Sequence, residues 1–326
     1  MVYIRSRTMR RSAYAVGLLL ATMANEPQEL QAQQDTCLRR SLPLSLDTNR
    51  ELADAGIPVA DFQAKVGGKP VKILSVAPDG RPHRIVILLD ASGSMFSRWP
   101  TALRLVASLV ESPLPNSQVA LLSYGEDIKE RIEFSRGKEA ILDWLAEHRV
   151  DTNLTRKLVH GRTALLDALV AGLDLLETPT SADSLWLISD GGENASHVHA
   201  HETGERLIRS GVRLFVTALY DPLVSRATPE EVNGPAMLAD AAYKTGGKMI
   251  VFHSGRAPIR APENALLPAS VDLFRTAMTR DYLLEVELPE RLRKPRSWNL
   301  KLAGDSKKQW KDVQLIYPTQ LAACEP

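Results

Sequence analysis

The chain has 326 residues, of which 44% are hydrophobic and 24% charged, with 40 basic residues against 39 acidic ones. This composition is typical of a globular protein that is large enough to bury one large core or two smaller ones. The net charge of +1 gives no basis for binding nucleic acid or an anionic membrane surface, so we expect neither as a partner.

The N-terminal region has the features of a bacterial signal peptide. Four arginines lie between residues 5 and 11, and the apolar stretch from Ala13 to Ala24 follows them. That stretch has the length of a signal-peptide core rather than of a transmembrane helix. We therefore expect residues 1–32 to be a signal peptide and the protein to be exported, either to the periplasm or as a secreted protein. An uncleaved N-terminal membrane anchor is the alternative.

Two cysteines, Cys37 and Cys324, lie near the two ends of the expected mature chain. A pair of cysteines in an exported chain can form a disulfide, and this one would close a very long loop. The sequence leaves the pairing open, because disulfide formation depends on a geometry that residue order does not supply.

Residues 37–83 are predicted to form a small β segment. Phe62–Val66 alternates apolar and polar residues, Gly67-Gly68 is typical of a hairpin turn, and a second alternating run follows from Val71 to Val76.

Strand and helix patterns then alternate between residues 84 and 280. Strands are expected at 85–89, 119–124, 128–134, 185–189, 213–219 and 248–252, and helices at 101–110, 138–148, 164–176, 201–210, 236–244 and 271–279. The alternation predicts an α/β fold, namely a doubly wound, Rossmann-like and mostly parallel sheet with helices on both faces.

The C-terminal residues 281–326 return to β patterning, with short strands expected at 282–288, 298–302 and 313–317. Because β-rich segments precede and follow the α/β region, we expect 37–83 and 281–326 to pack together as one small β-rich domain.

Oxygen-bearing side chains follow two of the predicted buried strands and precede one helix. Asp90, Ser92 and Ser94 follow the strand at 85–89, Thr163 precedes the helix at 164–176, and Asp190 follows the strand at 185–189. Ligands of open α/β sheets bind at the carboxyl ends of strands. Carboxylate and hydroxyl oxygens at such an edge suit a hard divalent cation.

Three segments carry a resemblance to the von Willebrand factor A (VWA) family, whose metal-ion-dependent adhesion site begins Asp-x-Ser-x-Ser. They are Asp90-Ala91-Ser92-Gly93-Ser94, Gly161-Arg162-Thr163-Ala164-Leu165 and Leu185-Trp186-Leu187-Ile188-Ser189-Asp190-Gly191. The resemblance implies a VWA domain over residues 84–280 and metal ligands at Asp90, Ser92, Ser94, Thr163 and Asp190. It implies Mg²⁺, with Mn²⁺ or Ca²⁺ as alternatives, and a protein partner whose Asp or Glu carboxylate completes the coordination. The expected role is that of an exported, non-enzymatic, adhesion-type interaction module.

Each of these residues also has a simpler interpretation. Ser92 and Ser94 could satisfy backbone groups in a turn, Thr163 could be the N-cap of the following helix, and Asp190 could cap a helix.

Two other functions remain open. A metal-dependent phosphatase of the haloacid-dehalogenase type would use Asp90 as its nucleophile, but it needs a second acidic residue where this chain has Ser92. A structural cell-envelope scaffold would use the metal only to stabilise its loops. A transition-metal site at His197, His199 and His201 is a weaker hypothesis, because a helix expected from His201 onward separates the three side chains.

Overall fold

The computed structural model describes residues 37–47, 58–112, 114–219, 229–252, 271–272, 274–275, 277, 281–303 and 310–324. The predicted signal peptide lies outside the described residues. Within them, no helix combines the length and the apolar character that crossing a membrane requires.

The strands are β1 (Arg39–Asp47), β2 (Phe62–Val66), β3 (Lys69–Pro78), β4 (His83–Asp90), β5 (Ser117–Tyr124), β6 (Ile128–Ile132), β7 (Ser184–Ser189), β8 (Arg213–Ala218), β9 (Met249–Val251), β10 (Asp281–Glu287), β11 (Arg296–Leu302), β12 (Gln314–Ile316) and β13 (Gln320–Leu321). The helices are α1 (Trp99–Glu111), α2 (Gly137–Val150), α3 (Thr152–Leu158), α4 (Leu165–Leu175), α5 (Ala200–Ser210) and α6 (Pro229–Thr245).

The first sheet has the strand order β6-β5-β4-β7-β8-β9. Strands β5, β4, β7, β8 and β9 run parallel, whereas the edge strand β6 runs antiparallel to β5. The expected α/β class is confirmed, but the sheet is mixed. Its antiparallel edge arises because a short turn after Tyr124 leads directly into β6, without the helical crossover that a parallel strand requires.

Apolar layers cover both faces of this sheet, because alternate residues of a strand point to opposite sides. Ile85, Ile87 and Leu89 of β4 pack in one layer with residues of α1 and α2. Val86 and Leu88 pack in the other layer with residues of α4, α5 and α6. The near-continuous apolar run of β4 is therefore the pattern of a strand buried on both faces.

The second sheet is antiparallel, with the strand order β12-β1-β10-β3-β2-β11-β13. It combines strands that precede the α/β region with strands that follow it. The predicted hairpin joins β2 to β3, and its turn residues Gly67 and Gly68 have φ angles of +55° and +82°. Glycine adopts this left-handed backbone without steric cost.

The disulfide that the sequence left open is present: Cys37 and Cys324 are bonded, with their Cα atoms 5.6 Å apart. It joins the segment before β1 to the segment after β13.

The two sheets meet at the end of the α/β region where the parallel strands begin. Arg213, the buried first residue of β8, donates from Nη1 to Ser45 Oγ at 3.0 Å. Lys248, just before β9, pairs with Asp47 at the end of β1. These contacts place the antiparallel sheet at the opposite end of the α/β region from Asp90, where β4 ends.

Helix α3 is an element that the sequence did not predict. Its N-cap residue, Asp151, accepts hydrogen bonds through Oδ1 from Asn153 N at 2.7 Å and Leu154 N at 3.2 Å. The cap satisfies the free amides of the first helical turn, which an Asp does readily. Because the helix has only 7 residues, its apolar periodicity is too short to recognise.

Candidate metal centre

The candidate site lies between β4 and β7, where the connectivity of the sheet reverses direction. From β4 the chain continues to β5 on one side and later returns to β7 on the other. Open α/β sheets bind ligands in the crevice outside such a switch point. Asp90 is the last residue of β4, and Asp190 directly follows β7.

The first loop runs from Asp90 to Ser94 and turns sharply around the Asp90 carboxylate. Oδ1 of Asp90 accepts a hydrogen bond from Ser92 N at 2.8 Å. The hydroxyl oxygens of Ser92 and Ser94 lie 3.2 Å apart and hydrogen-bond to each other. The two hydroxyls are thus held side by side next to Asp90, instead of satisfying backbone groups of the turn as the simpler interpretation required.

The second loop holds Thr163 through its backbone. Thr163 is a buried residue whose N donates to Asn194 Oδ1 at 2.9 Å, whereas its hydroxyl makes no hydrogen bond to any residue that the structure describes. The N-cap interpretation of Thr163 is wrong, because the N-cap of α4 is Ala164. The first turn of α4 is capped from the third loop instead, since Leu166 N donates to Glu193 Oε2 and Ser196 Oγ.

The third loop presents the Asp190 carboxylate, which is buried. Its Oδ1 accepts from Gly192 N at 3.2 Å. A β-carbon placed on Gly192 would lie 3.4 Å from Asp190 Oδ1 and 3.7 Å from Thr163 Oγ1. These two oxygens therefore border the same small space above Gly192.

The two carboxylates of the site are close enough to affect each other's ionisation, although the cationic side chains of Arg98 and Lys129 lie nearby. Burial and, after it, the charge of Asp190 raise the pKa of Asp90 to about 7, although the Ser189 hydroxyl donates to Asp90 Oδ2 at 2.6 Å. Arg98 approaches Asp190 Oδ2 at 3.4 Å, but its Nη1 also donates to Ser94 O at 2.8 Å. A neighbouring carboxylate and a dry environment both disfavour ionisation of Asp90.

The donor set fits a hard divalent cation. It consists of two carboxylates and three hydroxyls, and such oxygens are the ligands that Mg²⁺ and Ca²⁺ prefer. The buried Tyr124 hydroxyl lies close to the Ser189 hydroxyl and near the charge of Asp90, and burial raises the pKa of Tyr124.

The three histidines do not form a metal site in the described part of the chain. His197 Nδ1 lies 2.8 Å from Asp167 Oδ2, and His201, inside α5, pairs with Glu205. Across the described ranges, no group of three or more His, Cys, Asp or Glu side chains is arranged to hold a metal ion. The candidate centre therefore depends on hydroxyl ligands as well as on its two carboxylates.

Sequence reasoning missed the residues that fasten the loops to each other. Glu193 accepts from Leu166 N, Ala195 N and Ser196 N, and Asp167 accepts from His197 N and Val198 N. Lys129 binds the carbonyl groups of the first and second loops. An acidic residue four positions after a strand, as Glu193 is, gives a weak signal of loop capping, whereas nothing in the sequence around Lys129 indicates its contacts.

Two glycines provide a test of the third loop. A β-carbon on Gly234 of α6 would overlap the carbonyl oxygen of Gly191, which itself has a φ of +89°. We expect Gly234→Ala to displace the third loop and to lower the free energy of unfolding by about 1–3 kcal/mol. Gly204→Ala is the control, because a β-carbon there meets no atom within 4 Å and alanine favours a helix by about 1 kcal/mol. Urea unfolding should give opposite signs for the two variants; equal effects would contradict the close contact.

Residues 85–193 match the family model described as von Willebrand factor type A domain. The matched range runs from β4 past β7 and includes all five candidate ligands. This match supports a VWA-type domain in that part of the chain. The chain's sequence matches no curated protein.

The solved structures that are similar to this chain include the following three. An aerotolerance-related membrane protein from Bacteroides fragilis is 16% identical, covering 60% of this chain and 98% of its own, with a TM-score of 0.42. BatB from Bacteroides thetaiotaomicron is 17% identical over 60% of this chain and 98% of its own, with a TM-score of 0.41. A von Willebrand factor type A protein from Catenulispora acidiphila is 13% identical over 86% and 72%, with a TM-score of 0.43.

Proposed function

We propose that this protein is an exported, non-enzymatic interaction module that binds an acidic residue of a partner protein through a divalent cation, Mg²⁺ in the first place. Asp90, Ser92, Ser94, Thr163 and Asp190 would hold the cation. When bound, the cation supplies an electrophilic position for a carboxylate oxygen of the partner.

One observation carries the proposal: two buried carboxylates and three hydroxyls converge where the sheet reverses direction. Asp90 and Asp190 are 0% and 1% exposed. Burial of the Asp90 carboxyl group and, after it, the nearby charge of Asp190 raise the pKa of Asp90. Arg98, 3.4 Å from Asp190 Oδ2, offsets part of this buried charge, and a bound divalent cation would neutralise the remainder.

Two further features support a binding role outside the cytoplasm. The residue two positions after Asp90 is Ser92, where the phosphatase alternative requires an acid. The Cys37–Cys324 disulfide favours an oxidising compartment, in agreement with an N-terminal signal peptide.

The proposal is tested with Mn²⁺ and a short carboxylate-bearing peptide. Relaxation of water protons by Mn²⁺ reports whether the bound ion keeps exchangeable water. We expect the purified protein to bind Mn²⁺ saturably, and an Asp-containing peptide at millimolar concentration to displace that water. The same peptide with Asn in place of Asp should have no effect. Saturable Mn²⁺ binding that neither peptide alters would favour the structural-scaffold alternative.

The affinity for the cation should depend on pH. Because the pKa of Asp90 is raised to about 7, a proton competes with the cation below that pH. We expect the Mn²⁺ affinity to fall by up to about tenfold per pH unit below about 7, as one proton is released on binding.

Ser189→Ala supplies the control for the pH profile. The Ser189 hydroxyl donates to Asp90 and lowers the pKa of this carboxyl group, so its loss should move the midpoint of the profile to higher pH. An affinity that stays constant between about pH 5 and 8 would show that Asp90 does not compete for a proton.

A further inference from the structure

The side chain of Lys129 occupies a cage of backbone carbonyls next to the candidate metal centre. Lys129 lies on the edge strand β6, and its Nζ donates to Ala91 O at 2.9 Å, Leu158 O at 2.7 Å and His160 O at 2.7 Å. An ammonium group has three donors. All three are used here, each by a main-chain carbonyl.

The cage joins the first loop of the candidate metal centre, Asp90 to Ser94, to the second loop, which holds Thr163. Ala91 lies between the candidate ligands Asp90 and Ser92, and His160 lies three residues before Thr163. The same two loops are also joined directly, since His160 N donates to Ala91 O and Gly93 N donates to Gly161 O, each at 3.0 Å. Lys129 draws together carbonyl groups that would otherwise repel one another.

The charge of Lys129 also acts on the site. Burial lowers the pKa of Lys129, and the negative charges of Asp90 and Glu126 partly offset this effect. The ammonium group thus places a fixed positive charge close to the Asp90 carboxylate, where it favours ionisation.

A glycine makes room for this arrangement. A β-carbon on Gly125 would lie 2.5 Å from Cε and 2.6 Å from Nζ of Lys129. These distances are shorter than real contacts of a β-carbon, so an alanine at position 125 would force the end of the Lys129 side chain to move.

We propose that Lys129 is a positioning residue of the metal centre, a built-in cation whose three carbonyl contacts hold the Asp90–Ser94 loop and the Thr163 loop at the spacing that divalent-cation binding requires. The proposal rests on the proposed metal-binding function. Groups that orient the ligands of a metal typically contribute about 10–100-fold to its affinity.

The test compares three variants by Mn²⁺ calorimetry and thermal unfolding. Lys129→Met removes the charge and all three hydrogen bonds. Gly125→Ala keeps the lysine but displaces its ammonium group. Lys157→Met is the matched control, because this exposed lysine of α3 lines one surface pocket together with Lys129 but makes none of the cage contacts.

We expect both Lys129→Met and Gly125→Ala to lower the Mn²⁺ affinity by about 10–100-fold, and Lys157→Met to leave it unchanged. The increase in Tm that saturating Mn²⁺ gives the wild type should shrink in the first two variants. If Lys129 only stabilises the fold, Tm falls but the affinity and the Mn²⁺-induced increase stay at wild-type values, which overturns the proposal.

The outcomes separate this inference from the proposed function. Failure of the wild type to bind Mn²⁺ would reject the metal centre itself. Wild-type binding with unchanged affinity in Gly125→Ala would reject only the role of Lys129. If Lys129→Met does not fold, Gly125→Ala decides the question, because it retains the lysine and its charge.

Discussion

Asp90→Ala is expected to lower the affinity for Mg²⁺ and Mn²⁺ by more than about 100-fold, beyond the effect typical of a residue that only orients a ligand. The substitution removes one of the two carboxylates of the centre and also the acceptor of the Ser92 and Ser189 hydrogen bonds. Calorimetric titration of the purified protein measures the loss. Asp174→Ala is the control, since Asp174 is an exposed carboxylate that pairs with Arg206 away from the loops. Equal affinities in wild type and Asp90→Ala would rule out the site.

The order of stability of the wild type and the Asp90→Asn variant should depend on the metal. We expect the variant to be the more stable protein without metal and the wild type to be the more stable one with it. In the metal-free wild type, burial raises the pKa of Asp90 from 3.8 to about 7, so ionisation costs at most about 4 kcal/mol at neutral pH. Because the folded-state pKa lies above the unfolded one, this cost is absent below about pH 4 and grows until about pH 7. Asparagine does not ionise, so the metal-free variant should be the more stable protein at neutral pH.

Saturating Mg²⁺ should invert that order, because the ion stabilises only the wild type through binding to the folded state. Urea unfolding gives the free energy of unfolding of both proteins at acid and at neutral pH, each with Mg²⁺ and with EDTA. A wild type that is more stable than Asp90→Asn at neutral pH in EDTA would contradict the inferred cost of the buried charge.

Removing the disulfide is expected to have the second large effect. Cys37 and Cys324 are 287 positions apart, so their bond restricts the unfolded chain strongly. The chain-entropy treatment gives about 6 kcal/mol for a loop of this length, slightly above the measured range of about 0–5 kcal/mol. We expect the Cys37→Ser/Cys324→Ser double variant to unfold at a markedly lower urea concentration than the oxidised wild type.

Reduction provides the control for this experiment. A reductant should lower the stability of the wild type to that of the double variant and leave the double variant unchanged. The Mn²⁺ affinity of the folded double variant should equal that of the wild type, because the disulfide joins segments that flank the antiparallel sheet, away from the candidate metal centre. A double variant as stable as the oxidised wild type would show that the bond does not form in solution.

Sequence patterns predicted the regular elements of the α/β region because those elements are determined locally. The apolar runs before Asp90 and Asp190 form strands β4 and β7, and Gly211 ends α5 in the left-handed conformation, with a φ of +71°. Buried strands and helix caps leave a signal within a few neighbouring residues. Boundaries were less accurate: α6 begins at Pro229, although a helix was expected only from residue 236.

The contacts that assemble the candidate site could not be predicted, because they join residues far apart in the chain. Lys129 contacts Ala91, 38 positions away, and Ser189 contacts Asp90, 99 positions away. Such pairs depend on strand order, and strand order is not encoded in any one segment. The order of Asp90, Thr163 and Asp190 along the chain indicated a shared site, but only the fold shows which side chains bring their loops together.

The position of the antiparallel sheet determines how the protein would carry mechanical load. Ser45 and Asp47 touch the α/β region where its parallel strands begin, and β1 then leads back towards Cys37, away from that region. Force applied at Asp90 and at Cys37 would therefore load the α/β region and the antiparallel sheet in series. Tension would run along β4, which is hydrogen-bonded to β5 and β7. This tension would load those hydrogen bonds in shear, so that many of them must break together rather than one after another.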